Sequence, residues 1–165
     1  MVMIVTATLD DFDALDAIYQ KSLSTYQHVK STEELDYIQD LHLTQGNVGL
    51  NSNYNATFIA KDENKYLGFV TIIQEGPWLY HLTKIYVIAD FQNKGIGTAL
   101  FRHCIEHIKE RHHNCHIDLE LNVHRKNMGA QFYLHNGMQK VRDNIITLEN
   151  NFTFVQDVYS LGIEC

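Results

Sequence analysis

The chain has 165 residues, of which 45% are apolar and 20% charged, and its formal net charge is −7. This composition excludes a disordered or fibrous chain, and the acidic balance argues against a nucleic-acid-binding protein, which needs a basic face. No apolar run reaches the roughly 20 residues of a membrane-spanning helix, and the three cysteines form no CxxC pair. We therefore expect a single domain over residues 1–165, a cytoplasmic location, and neither a nucleic acid nor a membrane as partner.

The first third of the chain predicts a strand followed by two helices. Residues 2–7 are rich in β-forming side chains, and Thr8 with aspartates after it is typical of a helix start. Apolar residues then recur at three- and four-residue spacing up to Tyr19, as on an amphipathic helix. Ser31 and Glu34 have the spacing of a capping box and predict the start of a second helix.

The middle of the chain predicts three strands. A loop rich in glycine and asparagine occupies residues 45–53, and β-type runs follow at residues 54–61, 65–74 and 78–88. Because only short turns separate the three runs, they predict an antiparallel meander.

The last part of the chain alternates helices and strands. Residues 97–111 have one apolar face and predict a helix, and residues 116–123 alternate as a strand does. Asn127 is expected to cap a last helix that ends at Asn136-Gly137, a good helix-stop signal. Two strands, residues 138–148 and 152–161, then close the chain as a hairpin.

The predicted element order is β-α-α-β-β-β-α-β-α-β-β. This order favours the α/β class (α+β mixed), with a central, mixed and mostly antiparallel sheet of about seven strands. About four helices are expected to pack on the faces of that sheet, because each sheet face and each apolar helix stripe must be buried against another element.

A glycine-containing loop between a strand and a helix is the strongest functional signal. Its sequence is Gln92-Asn93-Lys94-Gly95-Ile96-Gly97. A helix N-terminus offers unpaired N–H groups and partial positive charge, and glycine lets a bulky anion approach the backbone, so the loop predicts a pyrophosphate site. A Walker A motif is absent, and Leu100 stands where a dinucleotide fingerprint needs its third glycine.

Two stretches of the chain, about 25 residues apart, together resemble the motifs of the GNAT superfamily of N-acetyltransferases. The first is Ile85-Tyr86-Val87 with the loop, and the second is Leu121-Asn122-Val123 with Asn127, Ala130, Phe132, Tyr133 and Gly137-Met138. The resemblance covers nearly the whole chain, and its details are most similar to bacterial polyamine and small-amine acetyltransferases.

The resemblance implies an enzyme that moves an acetyl group from acetyl-CoA to a primary amine by direct attack in a ternary complex. It implies a phenol, Tyr133, as the general acid for the departing thiolate, since a phenol is protonated at neutral pH. It implies that main-chain groups of the strand hold the pantetheine arm, and that an N–H near Val87 faces the thioester carbonyl. The implied cofactor-binding residues are Ile85, Tyr86, Val87, Gln92, Asn93, Lys94, Gly95, Ile96, Gly97, Thr98, Asn127 and Tyr133.

The general base is left open by the sequence. The strand before the loop, where relatives often carry a carboxylate, has none; His81 and Thr83 are expected to share a face with Ile85. His81 has a suitable intrinsic pKa for a base. The alternative bases are Thr83 and a chain of water molecules, with His81 then being only a surface or packed histidine.

A zinc site is the rival interpretation of three residues in the helix over residues 97–111. His103, Glu106 and His107 spell the HxxEH pattern on a helix. The pair is expected on the polar side of that helix, and a zinc hydrolase needs a third ligand and a supporting element. We therefore expect no metal, and we expect Cys104 in the core.

The acceptor is predicted to be a small cationic amine, such as a polyamine, because aspartates and glutamates are frequent in the first two predicted helices. A protein or peptide N-acetyltransferase, which needs an open groove, is one alternative. A non-catalytic acyl-CoA-binding sensor module is another. Either a monomer or a homodimer is compatible with the sequence.

Overall fold

The computed structural model describes residues 1–23, 55–125, 129–149 and 151–165. In these parts of the chain one sheet of seven strands is flanked by three α-helices. The strands are β1 (Val2–Thr6), β2 (Asn55–Asp62), β3 (Lys65–Gly76), β4 (Leu79–Val87), β5 (His116–His124), β6 (Gln139–Thr147) and β7 (Thr153–Glu164). The helices are α1 (Phe12–Leu23), α2 (Ile96–Arg111) and α3 (Ala130–His135).

The strand order in the sheet is β1-β2-β3-β4-β5-β7-β6, so β7 lies between β5 and β6. Strands β4 and β5 are parallel, and the other neighbours are antiparallel. The predicted mixed, mostly antiparallel sheet of about seven strands is confirmed. The second predicted helix, which begins near Ser31, lies outside the described residues, and so does Asn127. No helix in the described parts of the chain is long and apolar enough to cross a membrane.

The two faces of the sheet bury separate apolar clusters because side chains alternate along each strand. On β2 and β3, Phe58 and Val70 point to the α2 side, where they join Leu100 and other residues of that helix. Their neighbours Ile59 and Phe69 point to the other side and pack with residues of α1. Helices α2 and α1 therefore lie on opposite faces of the sheet.

Side-chain hydrogen bonds define the start of α1, and a glycine turn defines the end of α3. The Asp11 carboxylate accepts the Thr8 N–H at 2.8 Å and the Tyr66 hydroxyl at 2.6 Å, which ties the start of α1 to β3 and lowers the pKa of Asp11. At the end of α3, Gly137 has φ 92°. Its N–H reaches Leu134 O and the next N–H reaches Tyr133 O, both at 3.1 Å, as in a Schellman motif.

Candidate active site

Strands β4 and β5 run side by side only at their beginnings. Their pairing extends from Leu79 and Asp118 to His81 and Glu120. Beyond these residues β4 continues to pair with β3, and β5 with β7. The two strands therefore diverge and leave a wedge-shaped gap, with its apex at His81 and Glu120 and its mouth near Val87.

A β-bulge at Thr83 lies just beyond the apex. In the β3–β4 register Thr71 faces Lys84 and the next residue of β3 faces Leu82, so Thr83 is an extra residue. Such a bulge bends its strand and increases the local twist, which here accompanies the divergence of β4 from β5.

The bulge also corrects one expectation from the sequence. Strict alternation predicted that His81 and Thr83 share a face with Ile85. The extra residue reverses the alternation, and Ile85 packs with Tyr80 and Leu82 on the α2 side. His81 lies between Tyr80 and Leu82 and so points to the α1 side.

The gap-facing edge of β4 presents main-chain groups beyond its paired residues. The Ile88 N–H donates to Leu67 O at 2.9 Å, toward β3. Because main-chain groups alternate along a strand, those of Val87 and Ile85 face the gap. The Gln92 side chain donates to Val87 O at 2.9 Å, which anchors the following loop to the mouth of the gap.

A glycine lets β3 approach β4 opposite Val87. A Cβ on Gly68 would lie 2.4 Å from Tyr86 O and 3.1 Å from Val87 Cα. No side chain fits at that distance, so a glycine at position 68 is what permits the close approach of β3 to the end of β4.

The loop before α2 has the backbone of an anion cradle. Asn93 and Gly95 have φ 61° and 83°, both in the left-handed region, and Gly95 is the N-cap of α2. The first helical hydrogen bond runs from the Ala99 N–H to Gly95 O at 3.0 Å. The N–H groups of residues 96–98 precede that bond and have no acceptor within the helix. The loop residues 92–95 are exposed, so the cradle fits a pyrophosphate.

Gly97 has a packing role that the sequence did not show. A Cβ there would lie 3.1 and 3.2 Å from the Phe132 ring of α3 and 3.8 Å from a Val87 methyl carbon. The same Phe132 ring packs edge-on against Phe101 of α2. The first turn of α2 and helix α3 therefore meet closely at the mouth of the gap.

A second lysine beside the loop was missed by the sequence reasoning. The ammonium groups of Lys65 and Lys94 lie 4.4 and 4.9 Å from the centre of the Phe91 ring. Only the β2–β3 turn brings Lys65 to the loop, so no local signal could have found it. Two positive charges therefore lie at Phe91, directly before the loop of the predicted pyrophosphate site.

Tyr133 lies on α3, on the α2 side of the sheet. Its ring is half-buried between Phe132 and Tyr159, with ring centres 5.5 and 6.0 Å apart. The structure thus brings Tyr133 next to Phe132, the residue of α3 that packs against the first turn of α2. The predicted cofactor residue Asn127 lies outside the described residues.

His81 stands at the apex of the gap and is largely buried, with 16% of its side chain exposed. Its Nδ1 is 3.5 Å from Oε1 of Glu75. Burial lowers the pKa of His81, while the charges of Glu75 and Glu120 act in the opposite direction. Arg142 reaches over β7 and donates to both oxygens of Glu120, at 2.6 and 3.3 Å.

Two side chains of β4 after the bulge lie against α1. Tyr86 was predicted to bind the cofactor, and its ring packs between Tyr19 and Phe69 on the α1 side. Lys84 is buried, with its ammonium 5.6 Å from the centre of the Tyr19 ring. Burial lowers the pKa of Lys84, an ionisable group that the sequence reasoning did not consider.

The histidines of α2 are packed side chains. His103 and His107 contact the Phe58 ring, with ring centres 4.5 and 5.1 Å apart, so they are half-buried and not on a polar face as predicted. Among the described residues, no group of three or more His, Cys, Asp or Glu is placed to hold a metal ion. Cys104 is fully buried, as expected, and burial raises the pKa of its thiol.

Several solved structures share this architecture. Ribosomal-protein-S18-alanine N-acetyltransferase from Escherichia coli has 18% identity and a TM-score of 0.71, covering 100% of this chain and 96% of that one. PaiA N-acetyltransferase from Thermoplasma acidophilum, solved with coenzyme A, has 17% identity and a TM-score of 0.72, covering 100% and 99%. Arabidopsis thaliana NAA60, solved with a bisubstrate analogue, has 16% identity and a TM-score of 0.70, covering 99% and 98%.

At these identities the likeness establishes the fold alone. No curated protein sequence is significantly similar to the chain. The sequence model of the acetyltransferase (GNAT) family matches residues 15–138. The chain belongs to this family and is an acetyl-CoA-dependent N-acetyltransferase.

Proposed function

We propose that this enzyme acetylates a small cationic amine, such as a polyamine, by direct attack of the amine on acetyl-CoA in a ternary complex. The observation that carries the proposal is the gap between β4 and β5, because it joins an anion cradle at its mouth to a histidine at its apex. Of the predicted cofactor residues of β4, Ile85 and Val87 are proposed to line this path with the loop, whereas the Tyr86 ring packs on the α1 side.

The cofactor is proposed to lie along the gap. Main-chain N–H groups of residues 96–98, with Lys94 beside them, hold the pyrophosphate. The gap-facing main-chain groups of Ile85 and Val87 hold the pantetheine arm. A main-chain N–H on this edge stabilises the negative charge that develops on the thioester oxygen.

The proposed base and acid stand on opposite faces of the sheet. His81 points to the α1 side, where its buried ring favours the neutral form that can accept a proton. Tyr133 lies on the α2 side and donates a proton to the departing thiolate. The amine therefore approaches from the α1 side, and the thiol leaves on the other.

The cationic acceptor is supported by acidic residues on the α1 side. Asp13 and Asp16 lie on α1, and Glu75 lies near the apex. An acidic rim of this kind attracts ammonium groups.

A protein N-terminus is the second candidate acceptor. It is favoured by one observation: the similar Escherichia coli structure is an enzyme for ribosomal-protein-S18 alanine, at 18% identity. A polypeptide acceptor needs a groove that continues beyond the apex, whereas a polyamine needs only a pocket.

The seven strands of the one sheet lie between Val2 and Glu164, which supports one N-acetyltransferase domain over residues 1–165. The cysteines Cys104, Cys115 and Cys165 are free, which supports a cytoplasmic location. A monomer or a homodimer remains our expectation.

The function is tested by calorimetric titration with acetyl-CoA and by turnover of spermidine beside a peptide with a free N-terminal alanine. Lys94→Glu should weaken acetyl-CoA binding roughly tenfold, since it places a negative charge at the pyrophosphate. Lys109→Glu, at the other end of α2, is the matched control. Turnover of the peptide and not of spermidine would show that the enzyme is a protein acetyltransferase. Equal acetyl-CoA affinity of Lys94→Glu and Lys109→Glu would show that the pyrophosphate does not bind at the loop before α2.

A further inference from the structure

A carboxylate at the end of β3 stands beside the proposed base. The β3–β4 register contains a second irregularity, in which Gln74 faces Tyr80 and Gly76 faces Leu79, so that Glu75 is an extra residue. Bulges of this kind re-aim a side chain. Here the Glu75 carboxylate reaches His81, with Oε1 3.5 Å from Nδ1.

Two further charged groups of the described residues act on His81, and they are engaged with each other. Glu120 comes from β5 and Arg142 from β6, and the guanidinium of Arg142 donates to both oxygens of Glu120. This bidentate pair compensates the charge of Glu120. Among the described residues near the ring, Glu75 is therefore the carboxylate placed, at ion-pair distance, to accept a hydrogen bond from Nδ1.

We propose that Glu75 is a positioning residue that accepts the Nδ1–H of His81 and so fixes the tautomer in which Nε2 carries the lone pair. The proposal rests on the proposed function, in which His81 is the base. Nε2 takes one proton from the ammonium of the acceptor, which leaves a neutral amine and an imidazolium. The carboxylate of Glu75 then stabilises that imidazolium until its proton passes to solvent.

The charges around His81 set the direction of the pH effect. Burial and Arg142 lower the pKa of His81, whereas Glu75 and Glu120 raise it. Replacing Glu75 by a neutral residue removes one raising influence, so the pKa of His81 falls. The neutral base then persists to lower pH, and the acid limb of the kcat/KM profile moves to lower pH.

Two variants separate charge from tautomer. Glu75→Gln keeps an oxygen that accepts the Nδ1–H but loses the charge, whereas Glu75→Leu loses both. We expect both variants to shift the acid limb of the kcat/KM profile to lower pH. Only Glu75→Leu, which also loses the acceptor for the Nδ1–H, should lower kcat, by roughly tenfold relative to the wild-type enzyme. Neither should change the KM for acetyl-CoA. Glu164→Gln is the matched control, because Glu164 also pairs with a histidine, His116 of β5, but at the end of β7 and away from the gap.

The measurement combines kinetics with NMR titration of the His81 ring, whose nitrogen shifts report tautomer and pKa without any turnover. A shift in the NMR pKa and in the acid limb, together with mixed tautomers in Glu75→Leu, supports the proposal. An unchanged NMR pKa and tautomer in both variants would overturn it. NMR changes without any kinetic change would also overturn the positioning role, and would show separately that His81 is not the base.

Discussion

At the residue scale, the phenol of Tyr133 is the group whose chemistry is tested most simply. Tyr133→Phe removes the hydroxyl and keeps the ring that packs between Phe132 and Tyr159. Loss of a general acid typically costs about 10²–10⁴-fold in rate, so we expect kcat to fall by at least about a hundredfold. Calorimetry should show unchanged acetyl-CoA affinity.

Tyr159→Phe is the control, because it alters a neighbouring ring on β7 and not the proposed acid. Its kcat should stay near the wild-type value. A Tyr133→Phe enzyme with full activity would remove the acid role from Tyr133.

The sequence predicted which residue types take part in the site, but not the face of the sheet to which their side chains point. His81 was identified as a candidate base because the intrinsic pKa of an imidazole is near neutral. Its face could not be read correctly, because the bulge at Thr83 breaks the two-residue alternation on which the reading depended. Gly97 was likewise read as part of the cradle, whereas its contact with Phe132 depends on a helix more than thirty residues away in sequence.

At the scale of elements, the close contact between β3 and β4 predicts a contrast between two glycines of one strand. A Cβ on Gly68 would lie 2.4 Å from Tyr86 O, whereas one on Gly76 meets nothing within 4 Å. Because a backbone oxygen cannot move aside cheaply, Gly68→Ala should lower the free energy of unfolding by about 1–3 kcal/mol.

The Gly68→Ala variant should also bind acetyl-CoA more weakly, since it displaces β4 beside Val87. Gly76→Ala is the control and should change stability by less than about 1 kcal/mol. Urea unfolding and calorimetry check both effects. Equal stability of the two variants would contradict the close approach of β3 and β4.

The divergence of β4 from β5 predicts different exchange rates for neighbouring amides. The Ile88 N–H is bonded to Leu67 O, whereas the Val87 N–H faces the gap. Hydrogen exchange by NMR should show Ile88 protected in the free enzyme and Val87 exchanging faster. Saturating acetyl-CoA should slow Val87 and leave Ile88 nearly unchanged. Slow exchange of Val87 in the free enzyme would contradict an open gap.

At the scale of the whole molecule, the sheet has two halves that meet at a short seam. Strands β1–β4 and β5–β7 are joined by the parallel pairing from Leu79 to His81, and α2 packs across both. A ligand in the gap contacts both halves. At a concentration of 100 times Kd it adds about 2.7 kcal/mol to the stability of the folded state.

Acetyl-CoA should therefore raise the melting temperature by roughly 5–10 °C at such a concentration, given about 2–4 °C per kcal/mol for a chain of this size. Differential scanning fluorimetry measures this shift. At the same concentration Lys94→Glu should show a smaller shift because its affinity is lower. The absence of any shift in the wild-type enzyme at saturation would contradict binding between the two halves.

The sequence by itself determined the order and type of the described strands and helices, and it determined the loop from Gln92 to Gly97. These features depend on local patterns, namely the two-residue period of strands, the 3.6-residue period of helices and the glycines that punctuate them. The tertiary structure alone decided the insertion of β7 between β5 and β6, the gap between β4 and β5, and the approach of Glu75 and Lys65 to the site. The physical reason is that strand pairing joins residues distant in sequence and bulges change the direction of side chains such as Glu75, and no local pattern records either effect.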